Sequence, residues 1–261
     1  MDLGLKGKVA LVFGAGGGLG GAIAVALARE GARLAIADIN REALERTANM
    51  LQQLGADVLP LEWDLAKLDL VNDKVSKIEA ELGPVDVLVN NTGGPPPSPA
   101  SGQDSASWTW YFQSMVLPVL AVSDRVLPGM RERKWGRIVT STSSGVIAPI
   151  PHLAMSNSLR LSLVGWSKTL AREVGPMGIT CNIVLPGRIA TPRIAFLDEQ
   201  KAKREQRPVA EVAAESCASI PLGRYGTPEE YGDVVAFLAS QRAAYVTGSV
   251  IRVDGGFIPS I

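Results

Sequence analysis

Short β-branched runs alternate with amphipathic stretches along the whole chain, and that alternation admits few folds. KVALVFG is followed by LGGAIAVALAREG, RLAIAD by NREALERTANMLQQLG, and DVLPLEWD by LVNDKVSKIEAELG ahead of VDVLVNN. A strand covered on both faces reads as a continuous apolar run, whereas a helix crossing over one face repeats its apolar residues every three or four positions. Strands alternating with such helices build right-handed βαβ units on a parallel sheet. The rhythm continues with a helix around Ser105 to Met130, a strand GRIVTSTS, a helix running into Glu173, a strand GITCNIVLP, and then TPEEYGDVVAFLAS and SVIRVDGG. The expected architecture is α/β, a doubly wound parallel sheet in a single domain over residues 1–261, a length that such folds commonly reach as one unit.

Charge narrows the function. Lysine and arginine total 26, aspartate and glutamate also 26, and the basic residues are scattered, so there is no electrostatic footprint for nucleic acid or an anionic membrane. A small-molecule substrate fits better. The opening residues carry charges at Asp2, Lys6 and Lys8 and no apolar segment long enough for a signal peptide or membrane span, which points to the cytoplasm. Cys181 and Cys217 form no metal-ligand spacing and no disulfide framework, so no metal site is expected. Two segments break the βα rhythm: the proline- and glycine-rich NTGGPPPSPASG, read as an irregular but stiff loop, and the charged stretch from Asp198 to Ser216. The second reads either as a solvated surface helix or as part of a substrate lid around residues 192–220. Pro95-Pro96-Pro97 together with Arg188 and Arg193 hint at a compact, anionic ligand.

The turn VFGAGGGLGGAIA supplies a ligand site. It places Gly14, Gly16, Gly17, Gly18, Leu19 and Gly20 where the first strand enters the first helix, and there the backbone must turn tightly and present its N–H groups to phosphate without a Cβ in the way. Asp38 ends the second strand twenty residues after Gly18, about the offset at which an acid meets an adenosine ribose. This is a Rossmann-like arrangement. A carboxylate at that place repels a 2′-phosphate, and the turn carries Gly17 in place of a basic residue, so NAD(H) is favoured over NADP(H), with nearby Arg41 tempering the preference.

With those residues in place, the chain resembles the short-chain dehydrogenase/reductase family over essentially its whole length. Gly14-x3-Gly18-x-Gly20 matches the family's glycine pattern, with Phe13 where threonine is usual. Asp64, followed by Leu65, matches the acidic residue near the adenine, and Asn90-Asn91-Thr92-Gly93 matches the family's Asn-Asn-Ala-Gly. Pro186-Gly187 with Ile189 and Thr191 resembles the loop on the nicotinamide side. Gly223-Arg224 with TPEE, and YVTGSVIRVDGG, resemble segments that pack subunits in family oligomers, which implies a homotetramer or a dimer. On this resemblance the cofactor contacts include Asn91, Gly93 and Arg160.

The reacting centre departs from the family. Members typically use an asparagine, a serine, a tyrosine and a lysine. Ser143 matches the serine that holds the reacting oxygen, but the tyrosine and lysine positions, thirteen and seventeen residues on, hold Ser156 and Arg160, and the asparagine position holds Met115. No shifted register restores a tyrosine with a lysine four residues later. Leu159, Leu163, Trp166, Leu170 and Val174 mark the buried face of that helix, and Ser156 and Arg160, four apart, share a face. A serine hydroxyl is too weak an acid to replace a phenol, and an arginine cannot relay protons as a lysine can. It can still hold a ribose, steady an oxyanion or grip a carboxylate. Three routes are open for the proton: His152, the only histidine; Tyr111, one turn before Met115; and water held by Ser143 and Ser156. The leading expectation is an NAD(H)-dependent oxidoreductase acting on a small carbonyl or hydroxyl substrate through an atypical site. The alternatives are a dinucleotide-binding sensor or structural protein, and an enoyl-type C=C reductase or lyase in which Arg160 stabilises an enolate.

Overall fold

Seven parallel strands form the centre of the structure, a computed structural model that describes residues 2–261. They are β1 (Val9–Phe13), β2 (Arg33–Asp38), β3 (Val58–Glu62), β4 (Val87–Asn90), β5 (Gly136–Ser141), β6 (Ile179–Pro186) and β7 (Val250–Val253), in the order β3-β2-β1-β4-β5-β6-β7. Winding runs outward from β1 to β3, then restarts at β4 on the other side of β1. Between β1 and β4 the connections therefore diverge, and the crevice beyond their carboxyl ends is where sheets of this kind hold ligands. The α/β, doubly wound, single-domain expectation agrees with this sheet.

Among the described residues nine helices cover the strands: α1 (Gly18–Arg29), α2 (Arg41–Gln53), α3 (Val71–Glu81), α4 (Ser105–Met115), α5 (Leu117–Arg133), α6 (Ala154–Val174), α7 (Pro192–Glu205), α8 (Val209–Ala218) and α9 (Pro228–Ala239). Side chains along a strand point alternately to its two faces, so one strand feeds two cores. Ala10 and Val12 pack with Ile23 and Leu27 of α1 and Val235 of α9. Val9, Leu11 and Phe13 pack on the opposite face with Ile78 of α3, Met130 of α5 and Leu170 of α6. All five residues of β1 are buried, as a strand covered on both faces requires. Among the described residues no helix is long and apolar enough to cross a membrane.

Two stretches differ in detail from the sequence reading. The helix expected around Ser105 to Met130 is two helices, parted at Val116 and extended to Arg133. Pro118 lies in the first turn of α5, where its missing N–H is harmless, but that same absence breaks a ladder continued from α4. The charged stretch is likewise two helices, because Gln206 turns left-handed at φ 52° and Pro208 follows.

α9 is tied to the sheet directly beneath the carboxyl ends of β5 and β6. Tyr231 is fully buried, shares a 2.8 Å hydrogen bond with the Ser141 hydroxyl and reaches the Val184 carbonyl at 3.3 Å. Burial pushes its phenol well above the ordinary range, so it is a neutral structural group. Tyr231→Phe strips the Ser141 hydroxyl of this partner and is expected to lower unfolding stability by about 1–3 kcal/mol. Urea unfolding followed by circular dichroism reads this out, and an unchanged midpoint contradicts the role given to Tyr231.

Candidate functional site

A cleft of about 830 Å³ opens above the carboxyl ends of β1, β4, β5 and β6. Its first wall is the β1–α1 turn, through Gly17, Gly18 and Leu19. α1 has no side-chain N-cap and no acidic residue in its first turn, so its leading N–H groups are left for another acceptor. By contrast, Asn40, Asp104 and Thr227 cap α2, α4 and α9 through their side chains. Gly14 and Gly20 lie behind the turn rather than in the cleft. A Cβ on Gly20 would stand 2.1 Å from the Gly14 carbonyl oxygen, and one on Gly14, whose φ is +62°, would stand 2.6 Å from Asn91 Nδ2. These glycines let strand and helix close on each other, which sets the shape of the turn. Asn91 donates from Nδ2 to the Phe13 carbonyl at 3.2 Å, joining the ends of β4 and β1.

Asp38 lies off the cleft and faces the turn from behind. Its carboxylate accepts from the Gly16 N–H at 2.8 Å and from the Asn40 N–H at 2.9 Å. Asp64 accepts from the Ala66 N–H at 3.0 Å and lines a separate shallow recess with Ile39 and Lys67, while Leu65 packs against the core. The sequence-predicted contacts thus divide into a cleft group and a group flanking the turn at β2 and β3.

The opposite wall carries the polar groups. Ser143 caps a short 3-10 turn by accepting from the Gly145 N–H at 3.1 Å, which leaves its own proton free to donate. α6 begins at Ala154, so Ser156 and Arg160 occupy its first two turns, both buried at the edge of the cleft. Ser156 makes no hydrogen bond through its hydroxyl among the described residues. Arg160 is a brace: Nη2 donates to the Gly93 carbonyl at 2.7 Å and the Thr92 carbonyl at 3.1 Å, and Nη1 approaches the Ser141 carbonyl at 3.5 Å. It thereby links the loops leaving β4 and β5. Burial, with a smaller push from Arg193, brings its pKa down to about 10, still high enough to keep it charged at neutral pH.

His152 lines the cleft in a left-handed conformation, φ 59°, that few side chains adopt. Its carbonyl accepts from the Ser98 N–H at 2.7 Å, so the proline-rich loop is pinned to the entrance of α6. Tyr111 instead packs against the apolar cluster of Met115, Met155 and Leu159 and does not line the cleft. The third wall is the segment after β6. The Gly187 N–H bonds the Val253 carbonyl at 2.9 Å, Ile189 is buried, Thr191 immediately precedes α7, and α7 itself borders the cleft through residues from Pro192 to Glu205.

Sequence reasoning paired Arg188 with Arg193; the structure separates them, since Arg188 is bound to Asp198 at 3.1 Å. It also missed Thr92 and Thr142, whose buried hydroxyls line the cleft without a partner. Thr92 had one signal, standing where the family segment has alanine.

Fold and cleft together define a doubly wound α/β protein whose site lies at the strand-order reversal, above a glycine-rich turn. A family model described as enoyl-(acyl carrier protein) reductase matches residues 14–258. The 3-oxoacyl-(acyl-carrier-protein) reductase FabG of Escherichia coli strain K12 is 34% identical over 254 residues, 96% of this chain and 97% of that protein. Among solved structures, L-sorbose reductase from Gluconobacter frateurii, complexed with NADPH and L-sorbose, superposes with a TM-score of 0.94 at 30% identity over 100% of both chains. NAD+-bound xylitol dehydrogenase gives 0.90 at 28% identity over 97% of this chain and 99% of its own. The chain belongs to the short-chain dehydrogenase/reductase family.

Because the Gly14 carbonyl is backbone and cannot swing aside, Gly20→Ala is expected to destabilise the protein by about 1–3 kcal/mol. A thermal melt tests this, and an unchanged melting temperature would show that the turn tolerates the extra methyl.

Proposed function

We propose that this chain is an NAD(H)-dependent oxidoreductase with an atypical active site, acting on a small carbonyl or hydroxyl substrate. The observation that carries the reading is the meeting, in one cleft, of an uncapped glycine turn with Ser143, Ser156 and Arg160. The residues present fit a dinucleotide. Open N–H groups at the start of α1 suit a pyrophosphate, the segment from Pro186 to Thr191 and Asn91 suit the nicotinamide half, and Asp38, Asp64 and Leu65 flank the adenosine half. The Asp38 carboxylate beside the turn opposes a 2′-phosphate, and Arg41 is engaged by Glu45 at 2.8 Å, which supports NAD(H) over NADP(H). The solved relatives include both preferences, NADPH with L-sorbose reductase and NAD+ with xylitol dehydrogenase.

When bound, the nicotinamide supplies or takes up the hydride. What falls to the protein is the oxygen and its proton. Ser143 and Ser156 each have a hydroxyl proton to offer a carbonyl oxygen, and the Arg160 charge favours the negative charge that builds there. Arg160 replaces the family lysine and Ser156 the family tyrosine, and no tyrosine lines the cleft among the described residues. The remaining proton carrier is His152, at the cleft surface, or water held between the serines. A fixed buried cation beside two hydroxyls also suits an enolate, and with the enoyl reductase description of the family model this favours C=C reduction as the second reading.

The lining of the cleft by α7 supports a substrate lid over residues 192–220. Exposed apolar side chains at Phe237 of α9 and Val250 of β7 support a dimer or tetramer through the C-terminal segments. Two free thiols, Cys181 and Cys217, fit a cytoplasmic protein.

Oxidation of NADH in the presence of ketones, enones and keto acids tests the reading, and turnover well above background is expected with at least one class. Ser143→Ala should lower kcat/KM about 100-fold, the usual scale for losing one donor to a developing oxyanion. His152→Ala should lower it at least about tenfold if the imidazole carries the proton. Unchanged turnover in Ser143→Ala removes the proposed oxygen site, and unchanged turnover in His152→Ala assigns the proton to water.

A further inference from the structure

In a chain of zero net charge, the cleft is lined by five cationic side chains, Arg160, Arg188, Arg193, Lys201 and Arg204, and by a single carboxylate, Glu205. Three of the cations are already paired: Arg188 with Asp198 at 3.1 Å, Lys201 with Glu215 at 3.1 Å, and Arg204 with Glu205 at 3.6 Å. Arg160 and Arg193 have no acidic partner among the described residues. They converge on one spot, since a Cβ built on Gly94 would lie 3.4 Å from Arg160 Nη2 and 3.6 Å from Arg193 Nη2. The two nitrogens are thus no farther apart than those contacts laid end to end. Arg193 Nη2 is steadied by the Pro95 carbonyl at 2.8 Å and its guanidinium stands 5.6 Å from the Phe196 ring centroid. Neutral carbonyls and a ring face hold these cations in place without cancelling their charge, and two like charges at close range destabilise each other until an anion comes between them.

We infer that Arg193, with the charge of Arg160 beside it, receives a carboxylate of the substrate, so that the substrate class is the short oxo acid or its hydroxy acid counterpart. This rests on the oxidoreductase reading given above and deepens it. The closeness of the groups limits the acid. Ser156 and Arg160 lie one turn apart on the same face of α6 and line one cleft with Arg193. A 2-oxo or 3-oxo acid carries its two groups close together, with the ketone oxygen for the serines and the carboxylate for Arg193. In the reduction, the ketone carbon gains a hydride from NADH, its oxygen gains a proton, and NAD+ is released. Arg193 is set apart from the phosphate side of the cleft: Thr191 faces Gly18, at 3.8 Å from a Cβ built there, whereas Arg193 faces Gly94 and Pro95.

The test compares 2-oxobutanoate with 2-oxobutanamide, and 3-oxobutanoate with 3-oxobutanamide, by NADH oxidation with the wild-type protein, Arg193→Ala and Arg193→Gln. NADH affinity and the binding of oxamate to the NADH-loaded protein are measured in parallel by calorimetry. The expected result is an acid preference of at least 100-fold in kcat/KM for one pair, reduced at least tenfold in both variants, with oxamate binding weakened likewise. Equal turnover of acid and amide overturns the carboxylate pocket and leaves the oxidoreductase reading standing. Weaker NADH binding in the variants with an unchanged acid preference also overturns it, by assigning Arg193 to the cofactor phosphates. Arg193-dependent oxamate binding without turnover of any substrate supports the pocket and removes the oxidoreductase reading.

Discussion

A parallel sheet whose connections reverse direction between β1 and β4 must leave a crevice there, and every feature of the site follows from what closes in on that crevice. On the β1 side the closure is backbone only. Gly20 and Gly14 bring helix and strand within a distance no Cβ permits, and Asp38 bonds the Gly16 N–H from behind. On the β4 and β5 side the strand ends finish in carbonyl groups, and Arg160 gathers those of Gly93 and Thr92 under one guanidinium. The cation is therefore a part of the fold as well as of the proposed chemistry.

On the proposed reading, that dual use makes sense of an arginine at this position. A lysine in this helix position offers a compact ammonium, whereas the planar fork of arginine reaches several acceptors at once and stays charged despite burial. On that reading the gain is a fixed positive charge in the same cleft as the Ser143 and Ser156 hydroxyls, and the loss is a group able to pass protons on. Under the proposed function, the proton therefore moves at His152 or through water. The unusual backbone of His152 is compatible with a residue held in place by the loop that Ser98 pins to it.

Most of the fold was legible in the sequence because its causes are local. Apolar runs such as KVALVFG identify strands buried on both faces, and the spacing of Leu159, Leu163 and Leu170 identifies the buried face of α6. The break at Val116 was written in Pro118, yet a proline in a first helical turn and a proline inside a continuous helix look alike until the neighbouring residues are placed. The glycine turn, Ser143, Ser156 and Arg160 were legible as a set because the chain resembles a family with fixed spacings. What was hidden depends on three-dimensional pairing. Arg188 and Arg193 read identically in sequence, and only the buried carboxylate of Asp198 distinguishes the neutralised one from the other. The buried hydroxyls of Thr92 and Thr142 likewise become conspicuous only once their surroundings offer them no partner.

The account stands or falls on dinucleotide uptake at the β1–α1 turn. Calorimetric titration of the purified chain with NADH, and separately with NADPH, measures it without requiring a substrate. The account predicts saturable one-site binding of NADH and at least tenfold weaker binding of NADPH; absence of binding by either dinucleotide would contradict it.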